Sequence, residues 1–336
     1  MDSTLFSQIN TTISVRESRL LTPEQFQALL QAKDNDACAQ VLQGTVYQLE
    51  AQDLSDLNKI ETALMKQLFH DYKWAVQEAP VKEVVQLFSL RYTYHNLKVL
   101  LKAKAREASL NHLLIPIGAY SLEALEHLVV TLSDDMVPSF MQEEVLATWN
   151  EFQDYHDVRV IEIGMDLAYF KHLKRLLDVL DEPEFEQLVT LMIDFYNMTT
   201  VKRGLDQGKP RSFIYQLVSD EGTQNGKGYR KLIENTELAS WFNQVNPDSF
   251  AMDLKTYEEA MAAGTITSAQ LEYLHDVLIF KLLDQARYQA DSPLALARYL
   301  FGKELEVKNL RLILAGRDNN LSEEQITERM RPIYGQ

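Results

Sequence analysis

A chain of 336 residues, 46% of them hydrophobic, can fill a sizeable core; with only 12 glycines, 9 prolines and few alternating β-branched runs it reads as all-α. A formal net charge of −16 argues against nucleic acid or anionic lipid as general ligands, since both present phosphate, and points to protein partners. The lone Cys38 excludes an internal disulfide or a thiolate metal cage and agrees with a reducing compartment. It reads as a small apolar side chain in a helix.

Taken in chain order, MDSTLFSQIN lacks the basic start and apolar middle of a signal peptide. No later run reaches the roughly 20 apolar residues of a membrane span. The chain is therefore expected in the cytoplasm, without direct membrane insertion. LTPEQFQALLQAK predicts a short helix with Thr22 as N-cap and Glu24 in its first turn. A long helix follows from about Asp56 to Val76, then Pro80 at a joint. In VKEVVQLFSLRYTYHNLKVLLKAK, Val81, Val84, Val85, Phe88, Tyr92, Leu97, Leu100 and Leu101 recur mostly at steps of three and four, one stripe facing a core. The pair is a helical hairpin. SLEALEHL predicts a helix capped by Ser121. Two further hairpins turn at Pro183 and Pro293, and the Gly-rich SDEGTQNGKGYRK between them reads as a loop.

The hairpins are copies. IETALMKQLF, IEIGMDLAYF and LEYLHDVLIF each read apolar-Glu-x7-Phe, with Glu61, Glu162 and Glu272 and with Phe69, Phe170 and Phe280. Asn96, Asn197 and Asn309 follow the glutamates by 35, 35 and 37 residues. Two anchors held in register through three copies mark an internal repeat. The expected modules are 1–106, 107–209 and 210–336, the last with a C-terminal tail, forming one continuous body because no Ser/Pro-rich linker separates them. The three phenylalanines read as core.

Candidate chemistry is thin. GTQNGKG has three residues rather than four between its first glycines, and Gly228 rather than Ser or Thr after Lys227, so it departs from a Walker loop. Glu272 and His275 form half of a di-iron motif, but the matching positions in the other copies are Leu64 and Met165. No catalytic set, cofactor site or metal site is expected. Basic residues do cluster late in each second helix: Lys98, Lys102 and Lys104; Lys202, Arg203 and Lys209; Lys308, Arg311 and Arg317. Two readings stand open for these nine. They complement helix C-terminal dipoles, or they form a partner-facing charged surface.

SPLALARYLFGKELEVKNLRLILAGR, EIGMDLAYF, RESRLLTPEQFQALLQAKD and LSEEQITERMRPIY together resemble the C subunit of archaeal and bacterial vacuolar-type rotary ATPases, the d subunit in eukaryotes. The likeness spans nearly the whole chain. It departs at Thr93, which stands where Asp194 and Glu306 precede the other two asparagines by three. The resemblance implies a non-catalytic, funnel-shaped, pseudo-threefold rotor subunit on the cytoplasmic face of the membrane. It would join D- and F-type shaft subunits to a proteolipid ring, be monomeric in isolation and present once per complex. A free-standing helical-repeat scaffold is the alternative reading of the triplication alone.

Overall fold

The computed structural model describes residues 6–245, 252–289 and 291–335. Every regular element among them is a helix. In order these are α1 (Ser7–Glu17), α2 (Pro23–Gln31), α3 (Asn35–Gln43), α4 (Leu57–Glu78), α5 (Lys82–Arg106), α6 (Leu122–Thr131), α7 (Ser139–Tyr155), α8 (Val158–Leu176), α9 (Pro183–Asp206), α10 (Arg211–Leu217), α11 (Gly226–Glu234), α12 (Lys255–Ala262), α13 (Ser268–Asp284), α14 (Leu294–Asp318) and α15 (Glu323–Thr327), with short 3-10 turns between some of them.

Local chemistry sets many of the boundaries. Thr22 caps α2 in a reciprocal capping box with Gln25, with Pro23 at the first helical position, and Ser121 caps α6, as the sequence predicts. Asp56 caps α4 by accepting from the amides of Asn58 and Lys59. That helix stops at Ala79, where the following Pro80 disfavours helical backbone. Pro183 opens α9, and Pro293 is the N-cap residue of α14. Cys38 is buried on α3.

Two sequence expectations are corrected. SDEGTQNGKGYRK is a loop only as far as Asn225, whose side chain accepts from the Gly228 amide and starts α11. Tyr229 and Ile233, one turn apart, anchor that helix in the core, and their burial outweighs the cost of two glycines in its first turn. Of the three repeated phenylalanines, only Phe170 is core, at 3% exposure. Phe69 and Phe280 are half-buried.

The chain forms two compact units. One is Gln86–His275; the other combines Asp2–Val85 with Asp276–Gln336. In the first, α7 packs along α8, and α10 seats on α9, where Gly204 leaves room for the fully buried Ile214. In the second, α14 is the central strut, packed against α4, α1 and α15. Its buried positions run almost unbroken from Leu294 to Gly316 and include Arg298, Lys303, Glu304 and Glu306. A helix buried on all sides must pair its charges internally, and this one does.

Candidate functional site

Each repeated asparagine does the same work. Asn96 donates to the Ile115 carbonyl at 2.7 Å and accepts from the Ile115 amide at 2.9 Å. Asn197 does so with Ser219 at 2.9 and 2.8 Å, and Asn309 with Arg331 at 3.0 and 2.8 Å. All three asparagines are buried. A side-chain amide has both a donor and an acceptor in one plane, so it can satisfy both polar groups of one peptide residue in a segment that lacks a helix or sheet partner. Each clamp pins the chain 19 to 22 residues downstream onto the second helix of its hairpin.

The position three before each asparagine supports the same joint. Asp194 accepts from the Thr223 amide at 2.8 Å and from its hydroxyl, and the Gly222 backbone lies directly against its carboxylate. In the first copy Thr93 faces Gly118, where an added Cβ would come within 2.9 Å of the threonine hydroxyl. Both glycines stand three after the clamped residue. Glu306 instead accepts from the Leu21 amide at 2.5 Å, the Tyr47 hydroxyl at 2.6 Å and Lys303 at 2.7 Å. Burial raises the carboxyl pKa of Asp194, opposed by its Thr223 bonds. Burial and the adjacent Glu306 push Tyr47 far above the usual phenol range, so it stays a donor.

The repeated glutamates find basic partners from the nine expected residues. Lys102, on the first hairpin, bonds Glu162 of the second. Arg203, on the second, bonds Glu272 of the third. Arg311, on the third, holds Glu61 of the first through two bonds at 2.7 and 2.8 Å. Lys98 bonds Asp166 at 2.7 Å, one turn beyond Glu162, and Lys308 holds the buried Asp276 at 2.8 Å, beside Arg331 at 2.9 Å. Lys202 pairs with Asp206 on its own helix. Lys104, Arg203 and Arg317 stand in the last turns of α5, α9 and α14, as the dipole reading expects, and Lys104 and Arg317 also reach the ends of other helices. Lys104 donates to the Val129 carbonyl in the last turn of α6 at 2.7 Å, with its ammonium 4.5 Å over the Trp149 ring. Arg317 reaches the carbonyl of Ala32, the C-cap of α2. Lys209 is exposed beyond the end of α9.

Of the α14 charges, sequence reasoning passed over Arg298, Lys303 and Glu304. Arg298 meets Asp284 at 2.8 Å, Glu17 at 3.0 Å and the Tyr334 hydroxyl. Tyr72 donates to Glu304, and Asp71 takes Arg16 at 2.8 Å and the Tyr299 hydroxyl at 2.7 Å. The available signal was a helix of mixed charges, SPLALARYLFGKELEVKNLRL, too apolar on every side to leave a solvent face. Among the described residues no three His, Cys, Asp or Glu side chains converge as a metal ligand set, and no helix is long and apolar enough to cross a membrane.

The family model described as ATP synthase (C/AC39) subunit matches residues 9–329. The C subunit of the V-type sodium ATPase of Enterococcus hirae is 30% identical over 98% of this chain and 99% of its own length. The C subunit of the A-type ATP synthase of Methanocaldococcus jannaschii is 24% identical over 97% of this chain and 86% of its own; that of Pyrococcus abyssi is 21% identical over 97% and 90%. The chain belongs to the C/AC39 subunit family. It is a non-catalytic subunit of a V/A-type ATPase.

Proposed function

We propose that this chain is the rotor link of its ATPase, joining the central shaft of the catalytic head, built of D- and F-type subunits, to the proteolipid ring in the membrane. It passes torque between ATP hydrolysis or synthesis and H⁺ or Na⁺ transport. It works as a single peripheral copy on the cytoplasmic face, as three hairpin modules, 1–106, 107–209 and 210–336, closed into a pseudo-threefold funnel. One observation carries the reading: the glutamate of each hairpin is held by a basic residue of the hairpin before it, and Arg311 brings the last back to the first through Glu61. Three links in cyclic order suit a ring of struts that must turn without unwinding.

The individual links are modest. Exposed pairs are worth about 0.2 to 1 kcal/mol each, so they set register more than they supply strength. Stiffness comes from close-packed helices, of which α5, with 25 residues, is about 37 Å long. The relatives' names, one a sodium ATPase subunit and two ATP synthase subunits, support the class of machine and leave the ion open. Lys209 remains a candidate for partner contact. The other eight basic residues combine that proposed role with an intramolecular one.

The test is reconstitution of the membrane complex with and without this chain. With it, ATP hydrolysis drives ion uptake into vesicles; without it, hydrolysis by the head continues and uptake is lost. Undiminished ATP-driven uptake in its absence would refute the role.

A further inference from the structure

The stretch from Lys209 to Lys231 carries five basic and two acidic residues, a net charge of +3 within a chain of −16. It folds as α10 and α11, which pack on one another, with α10 seated on α9. Lys209, Arg211, Lys227, Arg230 and Lys231 are all exposed. Among the described residues none of the five has a carboxylate within salt-bridge distance, unlike most of the basic residues on α5, α9 and α14. Arg230 lies 4.8 Å over the ring of Tyr215, joining the two helices into one face.

Lys231 complements the C-terminal dipole of α11, but two of the five charges oppose the fold. Arg211 is the first residue of α10 and Lys227 the second of α11, where the helix dipole favours anions and a cation opposes it. The two acidic residues of the stretch do not neutralise the face. Asp220 is taken by the Gly226 amide, and Glu221 forms no ion pair among the described residues. Glu234, at the end of α11, adds the only carboxylate on that helix.

We infer that the α10–α11 face is a docking surface for an acidic protein segment of another subunit in the same assembly. The inference rests on the proposed role only in taking the partner from that assembly. A membrane suits the face less well. Tyr229 and Ile233, the apolar side of α11, are spent on the core, so this helix has nothing to insert beneath lipid headgroups, and the rest of the chain is strongly anionic.

The experiment compares the wild-type chain with a triple variant, Lys227→Glu, Arg230→Glu and Lys231→Glu, and with its glutamine counterpart as a milder control. Each is added to complexes stripped of this subunit, and affinity is measured across ionic strengths. The variants are expected to keep wild-type circular dichroism, while the Glu triple binds about a hundredfold or more weakly and the Gln triple falls between. Wild-type affinity should fall steeply with salt, as it does for exposed charges. If the wild-type chain fails to join the complex, the proposed role itself falls. If it joins and both variants join equally tightly, this inference falls alone. Wild-type retention on phosphatidylglycerol vesicles, lost in the variants while assembly is unaffected, would overturn it in favour of lipid. Should the Glu triple not fold, the Gln triple decides: unchanged affinity and salt dependence overturn the inference.

Discussion

Asn197→Ala removes a side chain that donates to the Ser219 carbonyl at 2.9 Å and accepts from its amide at 2.8 Å. Asn197 is fully buried and Ser219 is 2% exposed, so water cannot take over either bond. Each orphaned backbone group costs about 1 to 3 kcal/mol, which puts the loss at about 4 kcal/mol. At Asn96 and Asn309 the clamped residues, Ile115 and Arg331, are only half-buried. Water rescues part of the loss there, and alanine should cost about 2 kcal/mol. Urea unfolding followed by circular dichroism measures all three. Asn197→Asp separates the clamp from mere packing: aspartate keeps the volume and still accepts from the amide, but as a carboxylate it faces the Ser219 carbonyl with no proton to give. Burial raises its folded pKa above the unfolded value of about 3.9. The folded variant then binds more protons than the unfolded one, so its deficit relative to wild type shrinks as pH falls through that raised pKa. An alanine cost under about 0.5 kcal/mol, or an aspartate deficit that widens on acidification, would refute the clamp.

Phe170→Ala should cost about 3 to 5 kcal/mol, whereas the same change at half-buried Phe69 or Phe280 should cost less than half of that; equal losses at all three by thermal or urea unfolding would contradict the burial described. His172 lies against the Tyr94 hydroxyl at 3.2 Å and the Phe140 ring, and burial, with Arg175 nearby, lowers its pKa to about 4. Its folded pKa is below the ordinary 6.5, so the unfolded chain takes up the extra proton first. Stability is therefore complete above about pH 6.5 and declines by up to about 3 kcal/mol as pH falls to 4. Histidine proton resonances should show no titration of His172 above about pH 5, and His172→Gln should flatten that part of the stability profile.

The repeat was legible because it is written in side chains at fixed spacing. What the asparagines do was not, because each bonds the backbone of its partner, and backbone is indifferent to whether that residue is Ile115, Ser219 or Arg331. The glutamates served as register marks in the sequence. Their partners lie 60, 69 and 250 residues away on another hairpin, beyond any helical periodicity. Periodicity likewise places Phe69 and Phe280 on an inward face without telling whether anything covers them. In α11 the glycines suggested a loop, but a cap at Asn225 and two buried anchors outweighed composition. One of the four segments that carried the family likeness is α14, whose buried charged residues are held in the internal network.

The discontinuous unit also constrains how the protein can be made. Gln86–His275 is contiguous and can fold as it emerges, but Asp2–Val85 must wait for Asp276–Gln336. At about 5 to 20 residues per second of synthesis, that interval is on the order of 10 to 40 seconds. Throughout it, Asp71, Tyr72 and Tyr47 stand without the α14 side chains that bond them in the finished protein, and the apolar face of α4 lacks its main cover. A nascent chain of this design is most open to aggregation and to degradation just before its last helices appear. Truncations near the C-terminus should for that reason strip the first 85 residues of their fold while leaving the middle of the chain able to form.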